Sequence, residues 1–160
     1  MRIVSVLLIT VFCFLPASAQ TNPLTPMVTE NGYINLSLDA LGTTNSSGYI
    51  QVNKPANATV RSAYLVAAST GFSGVILSDG DITIDGASVI WSSTLNASIS
   101  SYNHWADVTS LVKSKIDAAA AGLIDLRITE NISRDIDGSI LAVIFDDPGQ
   151  TELNTIVLFF

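Results

Sequence analysis

Apolar and polar positions along this chain repeat mostly in steps of two, the period of a β-strand, and only once in steps of three and four. Ile34, Leu36 and Leu38 alternate with Asn35, Ser37 and Asp39, which predicts a half-buried strand. Residues 42–48 form a Thr/Asn/Ser-rich loop. Residues 49–53 predict a short strand, ended by the turn Lys54-Pro55-Ala56-Asn57. Residues 59–69 are small and β-branched, with Val60, Tyr64, Leu65 and Val66, and predict a buried strand. In residues 82–91 two β-rich runs flank Asp85-Gly86, a pair suited to a type I′ turn because both central positions need positive φ; this predicts a hairpin. Residues 92–101 read as a Ser-rich loop.

Residues 109–121 carry the helical period. Asp107 or Thr109 can cap the start, Gly122 suits the position beyond the end, and Val108, Leu111, Val112, Ile116 and Ala119 fall near one face. Ile124, Leu126 and Ile128 alternate with Asp125, Arg127 and Thr129 as another strand. Residues 140–145 are unbroken apolar, as expected of a central strand buried on both faces. Asp146-Asp147-Pro148-Gly149 turns the chain into a last apolar strand, residues 153–160. Roughly eight strands at short spacing with one helix predict an all-β fold, an antiparallel β-sandwich of jelly-roll-like form with the helix packed on it.

The chain begins with a pattern of a different kind. Arg2 precedes an apolar run of 13 residues from Ile3 to Leu15, then Pro16 and the small-x-small triplet Ala17-Ser18-Ala19. This is the pattern of a secretory signal peptide, and the run is too short for a membrane span, which needs about 20 residues. Bulky Phe12 before Cys13 argues against lipidation. The expected organisation is a signal peptide over 1–19, an extended leader with Pro23 and Pro26 over 20–32, and a single domain over 33–160. The last strand stops without a turn or polar tail, so the domain is expected to be truncated at its C-terminus. Cleavage before Gln20 removes Cys13, the one cysteine. The exported chain then has no disulfide, Cys-bound metal or thiol chemistry, which fits exported bacterial proteins better than small eukaryotic secreted domains.

Net charge is −7, from 7 basic and 14 acidic residues, which excludes a general nucleic-acid or anionic-membrane binder because phosphate recognition needs clustered Lys and Arg. Five Asn-x-Ser/Thr triplets, at Asn35, Asn45, Asn57, Asn96 and Asn131, would be glycan candidates in a eukaryotic source.

Three constellations could carry chemistry. Asp79, Asp81, Asp135 and Asp137 sit in Gly-containing turns and could hold Ca²⁺ with backbone carbonyls; the alternative is that each carboxylate shapes its own turn. No other cofactor is implied. Trp91, Tyr102 and Trp105 could form a sugar-stacking platform, or could be core and lid residues. His104, the only histidine, could act as a base or could be a plain loop residue; the sequence offers it no recognisable partner and no nucleophile elbow. Paired acidic residues would be the one route to a glycoside hydrolase.

Three segments, in order, resemble a pattern: Ala58-Thr59-Val60-Arg61-Ser62-Ala63-Tyr64-Leu65, then His104-Trp105-Ala106-Asp107-Val108-Thr109-Ser110-Leu111-Val112, then Ile140-Leu141-Ala142-Val143-Ile144-Phe145-Asp146-Asp147-Pro148. The set is similar to an uncharacterised family of secreted bacterial and archaeal β-sandwich domains of surface proteins, often followed by a C-terminal sorting or anchoring segment. The resemblance implies the same sandwich, a cell-surface or extracellular location, and no catalytic residues. The function expected is that of a non-catalytic structural or adhesive module, partnered by other surface proteins or glycans; the alternatives are a carbohydrate-binding module and a hydrolase.

Overall fold

The computed structural model describes residues 24–42, 46–97 and 99–159. The signal segment 1–19, Asn45 and Phe160 lie outside the described residues. Eleven strands and one α-helix follow in order: β1 (Pro26–Gly32), β2 (Ile34–Gly42), β3 (Ser47–Lys54), β4 (Thr59–Ser69), β5 (Ile82–Ile84), β6 (Ala87–Ser88), β7 (Ser93–Asn96), β8 (Tyr102–Asp107), α1 (Thr109–Ala118), β9 (Gly122–Glu130), β10 (Ile136–Asp146) and β11 (Asn154–Phe159). A 3₁₀ turn, Ser133–Asp135, joins β9 to β10. The class is all-β with a short helix, as the period of two implies.

The strands form a five-stranded sheet in the order β2-β10-β4-β8-β7, a four-stranded sheet in the order β3-β9-β5-β6, and a two-stranded ribbon of β1 and β11, with antiparallel pairing throughout. Both larger sheets contribute to one buried cluster. β10 supplies Leu141, Val143 and Phe145, β4 supplies Val60, Ala63, Leu65 and Ala67, and β9 supplies Ile124, Leu126 and Ile128. The unbroken apolar run does form the heart of β10, between β2 and β4. Its alternate residues Ala142 and Ile144 are buried on the opposite face, which is why no polar period interrupts that stretch of sequence. The hairpin also forms as expected: Asp85 and Gly86 have φ of 49° and 85°, the two positive values a type I′ turn requires.

Elsewhere the structure departs from expectation for identifiable reasons. In β2 two members of the apolar set face away from the shared core: Leu36 and Leu38 are exposed, while Ile34, Ser37 and Leu41 are buried. The Ser37 hydroxyl accepts the Asn53 N–H at 2.9 Å and the Asp39 carboxylate accepts the Gln51 N–H at 2.7 Å. Those donors lie on the edge strand β3, and edge N–H groups need partners, so Ser37 and Asp39 turn inward and the leucines turn out.

The helix ends at Ala118 rather than at residue 121. Buried Lys54 donates from Nζ to the carbonyls of Asp117 and Ala119, both at 2.8 Å, and satisfies the carbonyls of the last turn. The rest of α1 substitutes for a missing ladder. β8 pairs with β4 only over Tyr64–Ala68, leaving the start of β4 without a strand on that side. There the Asp117 carboxylate accepts the Val60 N–H at 2.7 Å, Thr109 Oγ1 accepts the Ala63 N–H at 2.8 Å, and Lys113 donates to the Val60 carbonyl. Val112 and Ile116 enter the core from the same helix face.

Three further segments pair where no strand was expected, one of them β8 itself, between β4 and β7. Residues 26–32, inside the stretch read as an unpaired leader, run antiparallel to β11. Ser93–Asn96, inside the Ser-rich loop, is the edge strand β7. The ribbon borders the five-stranded sheet at two recesses: Leu24 and Phe159 line one with Ala40, Val66 and Ile140, and residues 25–27 line the other with Ser93, Leu95 and Trp105.

Candidate functional site

The residues singled out by sequence do not assemble into the aromatic platform or the ion site that their types suggest. Trp105 is on the outer face of β8, with its ring 6.1 Å from that of Tyr64 at a 59° tilt. Trp91 is on the core side, 5.2 Å from His104, packed against the buried cluster and donating from Nε1 to the Ser78 carbonyl. Tyr102 shares the face of His104, two residues along the strand, and its N–H is bound by Ser69 Oγ at 2.8 Å. A strand places successive side chains on opposite faces, so Trp91 and Tyr102 cannot make one stacking platform with Trp105.

Two of the four turn aspartates use their carboxylates locally. Asp79 accepts the Trp91 N–H at 2.9 Å and Asp81 accepts the Ser78 N–H at 2.6 Å. Asn131 then ties this turn to the end of β9, donating from Nδ2 to the Gly80 carbonyl and from its N–H to the Asp81 carbonyl. Asp135 closes the 3₁₀ turn, where its carbonyl receives the Thr70 N–H, and exposed Asp137 opens β10. Among the described residues no three His, Cys, Asp or Glu side chains gather where they could hold one ion.

His104 is a buried strand residue rather than a loop residue. Its Nε2 accepts the Leu77 N–H at 3.0 Å, which leaves the proton on Nδ1 and the ring neutral. Burial lowers its pKa, opposed by the backbone carbonyls of Tyr102 and Ala67 and the charge of Asp81. Glu130 is also buried, at 1% exposure. Ser139 Oγ donates to its Oε1 at 2.6 Å, Oε2 has no partner among the described residues, and burial raises its pKa against the opposing hydrogen bond. Its carboxyl faces the core between β9 and β10 rather than a cleft, so it holds no reachable substrate position.

Two features were not anticipated. The first is the outer face of the five-stranded sheet. Leu36, Leu38 and Ile140 stand exposed there, at 37%, 61% and 45%, beside the Tyr64–Trp105 pair and Leu95. The face is poor in charge because residues 62–78 and 86–106, which supply β7 and nearly all of β4 and β8, contain no Asp, Glu, Lys or Arg. The second is a cleft around Arg61, built from the β1–β2 junction, the turn before β4 and the end of β10. Arg61 Nε and Nη2 donate to Asp146 Oδ1 at 2.9 and 2.5 Å, and Nη1 donates to Glu30 Oε2 at 3.3 Å and to the Asn31 carbonyl at 3.0 Å. The hydrogen bond and charge of Asp146, and then of Glu30, raise its pKa against desolvation. Glu30 and Asp146 thus converge, but on one guanidinium that both engage, which makes a clamp and not an acid–base pair. A sequence signal for it existed: Arg61 is the only charged residue between Lys54 and Asp79, and a lone cation inside a buried strand requires partners.

Among the described residues no helix is long and apolar enough to cross a membrane. No family model, curated protein or solved structure matches the chain.

Proposed function

We propose that this chain is an exported, non-catalytic surface module with a structural or adhesive role, in which the two larger sheets pack as a jelly-roll-like sandwich and the outer face of the five-stranded sheet contacts another surface protein or a glycan. The observation that carries the reading is that outer face. Leu36, Leu38 and Ile140 remain exposed on it, with little charge around them, and exposed apolar side chains gathered on one face mark a contact site in a soluble domain. The signal pattern over 1–19 supports export. The three segments that carry the family resemblance are neighbours in the five-stranded sheet, in β10, in β4, and in β8 with the start of α1. No resident ion is part of the reading.

The test is a double substitution, Leu38→Lys with Ile140→Lys. Both side chains are exposed, so the cost to folding should be within about 0.5 kcal/mol each. Labelled wild-type protein should be retained on envelopes of the producing cells, and the double variant should lose most of that retention at an unchanged melting temperature. Equal retention of the two proteins, or none by the wild type, would remove the contact role. Carbohydrate binding is the second reading. It is favoured by the recess of about 350 Å³ where Trp105 meets Ser93, Leu95 and residues 25–27, since an indole flanked by hydroxyls suits a sugar ring.

A further inference from the structure

We propose that the Arg61 cleft is a binding site for a neutral polyhydroxyl ligand, a sugar that presents two adjacent hydroxyl groups. The cleft has a volume of about 460 Å³, within the range of small-molecule sites, and three backbone features build it. Ile144 of β10 faces Ser62 of β4, but Phe145 faces Val60. The extra residue of β4 is Arg61, and a bulge of this kind takes a side chain out of the ladder and re-aims it. Gly32 has φ of +151°, and a Cβ there would stand 3.0 Å from Arg61 Nη2, so a side chain at that position would crowd the guanidinium. Asn57 has φ of 60°, a left-handed conformation in which asparagine is enriched.

The chemistry of the walls selects the ligand. Four of the five guanidinium N–H groups are spent on Asp146, Glu30 and the Asn31 carbonyl, so Arg61 has little left for an anion. Asp147 adds a third carboxylate to the wall, its oxygens taken by the Gly149 N–H at 2.9 Å and, more weakly, by Asn35 Nδ2 at 3.4 Å. The cleft is therefore net negative and repels carboxylates and phosphates. Among the described residues, the groups still without hydrogen-bond partners are Asp146 Oδ2, the Asn57 amide and the hydroxyls of Thr59 and Tyr33. Asp146 Oδ2 only accepts, whereas the amide and the two hydroxyls can each donate and accept. Their complement is a group that donates and accepts at once, which is a hydroxyl. The exposed Tyr33 ring gives a flat apolar surface for the C–H face of a pyranose. Neither Trp105 nor the outer sheet face takes part, so this site and the proposed surface contact can fail separately.

The experiment is an NMR titration of the isotope-labelled chain with a panel of neutral hexose disaccharides, with a uronic acid and methylamine as controls. A neutral sugar should produce saturable shifts at the amides of Tyr33, Asn57 and Thr59, with a dissociation constant on the order of 1 mM. Asn57→Gly preserves the left-handed turn and removes the amide, and Tyr33→Ala removes the ring. Each should weaken binding by about fivefold, the loss of one modest interaction, with the melting temperature nearly unchanged. The absence of saturable shifts with every neutral sugar would overturn the proposal. So would tighter binding of the uronic acid or the amine, or wild-type affinity in both variants.

Discussion

His104 is the group whose removal and titration test the core most directly. Its ring is fully buried, and Nε2 can accept the Leu77 N–H only while it carries no proton. Protonation would set two N–H groups against each other and place a charge beside Trp91. The unfolded chain binds that proton near the ordinary histidine pKa of about 6.5, and the folded chain binds it at lower pH because burial lowers the pKa. The stability this group contributes is complete above the unfolded pKa and is lost as pH falls through the folded one. Between about pH 7.5 and 5.5 the loss is at most about 1.4 kcal/mol. His104→Gln retains an acceptor for Leu77 without titrating in that window. His104→Ala leaves the N–H unpaired and should cost about 1–3 kcal/mol at every pH, apart from the cavity it creates. Urea unfolding of the three proteins at both pH values gives the answer as a difference between wild type and His104→Gln, in which shared carboxylate titration cancels. That cancellation covers Glu130, whose raised pKa acts in the opposite direction, adding stability as pH falls through it. Parallel pH dependence of wild type and His104→Gln would refute the assignment of Nε2 as a neutral acceptor.

Lys54→Met keeps the aliphatic stem but loses the two bonds to the end of α1. Unfolding should be easier by about 2–3 kcal/mol, seen as a lower urea midpoint; an unchanged midpoint would show that water replaces the ammonium without cost. Val143→Asp puts a charge in the middle of β10, where exposure is 0%. The penalty of several kcal/mol should leave no folded fraction by circular dichroism, and a folded, soluble variant would contradict the central position of that strand. If Asp79, Asp81, Asp135 and Asp137 only shape turns, melting temperatures in Ca²⁺ and in chelator should agree within about 2 °C. A saturating ion at about 100 times its dissociation constant would instead add about 2.7 kcal/mol, or on the order of 10 °C.

What could be read from the sequence was whatever local chemistry decides. Asp85-Gly86 specifies its turn by itself, and residues 140–145 are apolar on both parities because both faces of β10 are covered. What could not be read depended on distant partners. Leu36 and Leu38 have the right period but face outward, because the donors of β3, more than ten residues away, claim Ser37 and Asp39. Residues 26–32 look unpatterned because half of the ribbon's sequence signal is at residues 154–159. Tyr102-Asn103-His104-Trp105 mixes polar and aromatic types on both faces, which hid β8 and made its buried histidine look like a loop residue. The Arg61 cleft joins residues 30, 61 and 146, a spacing no motif describes, and the lone charge in an apolar strand was its one trace.

The β2–β3 seam also bears on how the protein behaves at high concentration. An open sheet edge is a template for strand addition, the first step of fibre growth and of domain exchange. At β3 an incoming strand would find the N–H groups of Gln51 and Asn53 already held by side chains of β2, and would have to break those bonds before forming its own. The four-stranded sheet is thereby closed to growth on this flank. Growth by backbone pairing would have to start from another edge: β2 or the short β7 of the five-stranded sheet, the two-residue β6, or the β1–β11 ribbon.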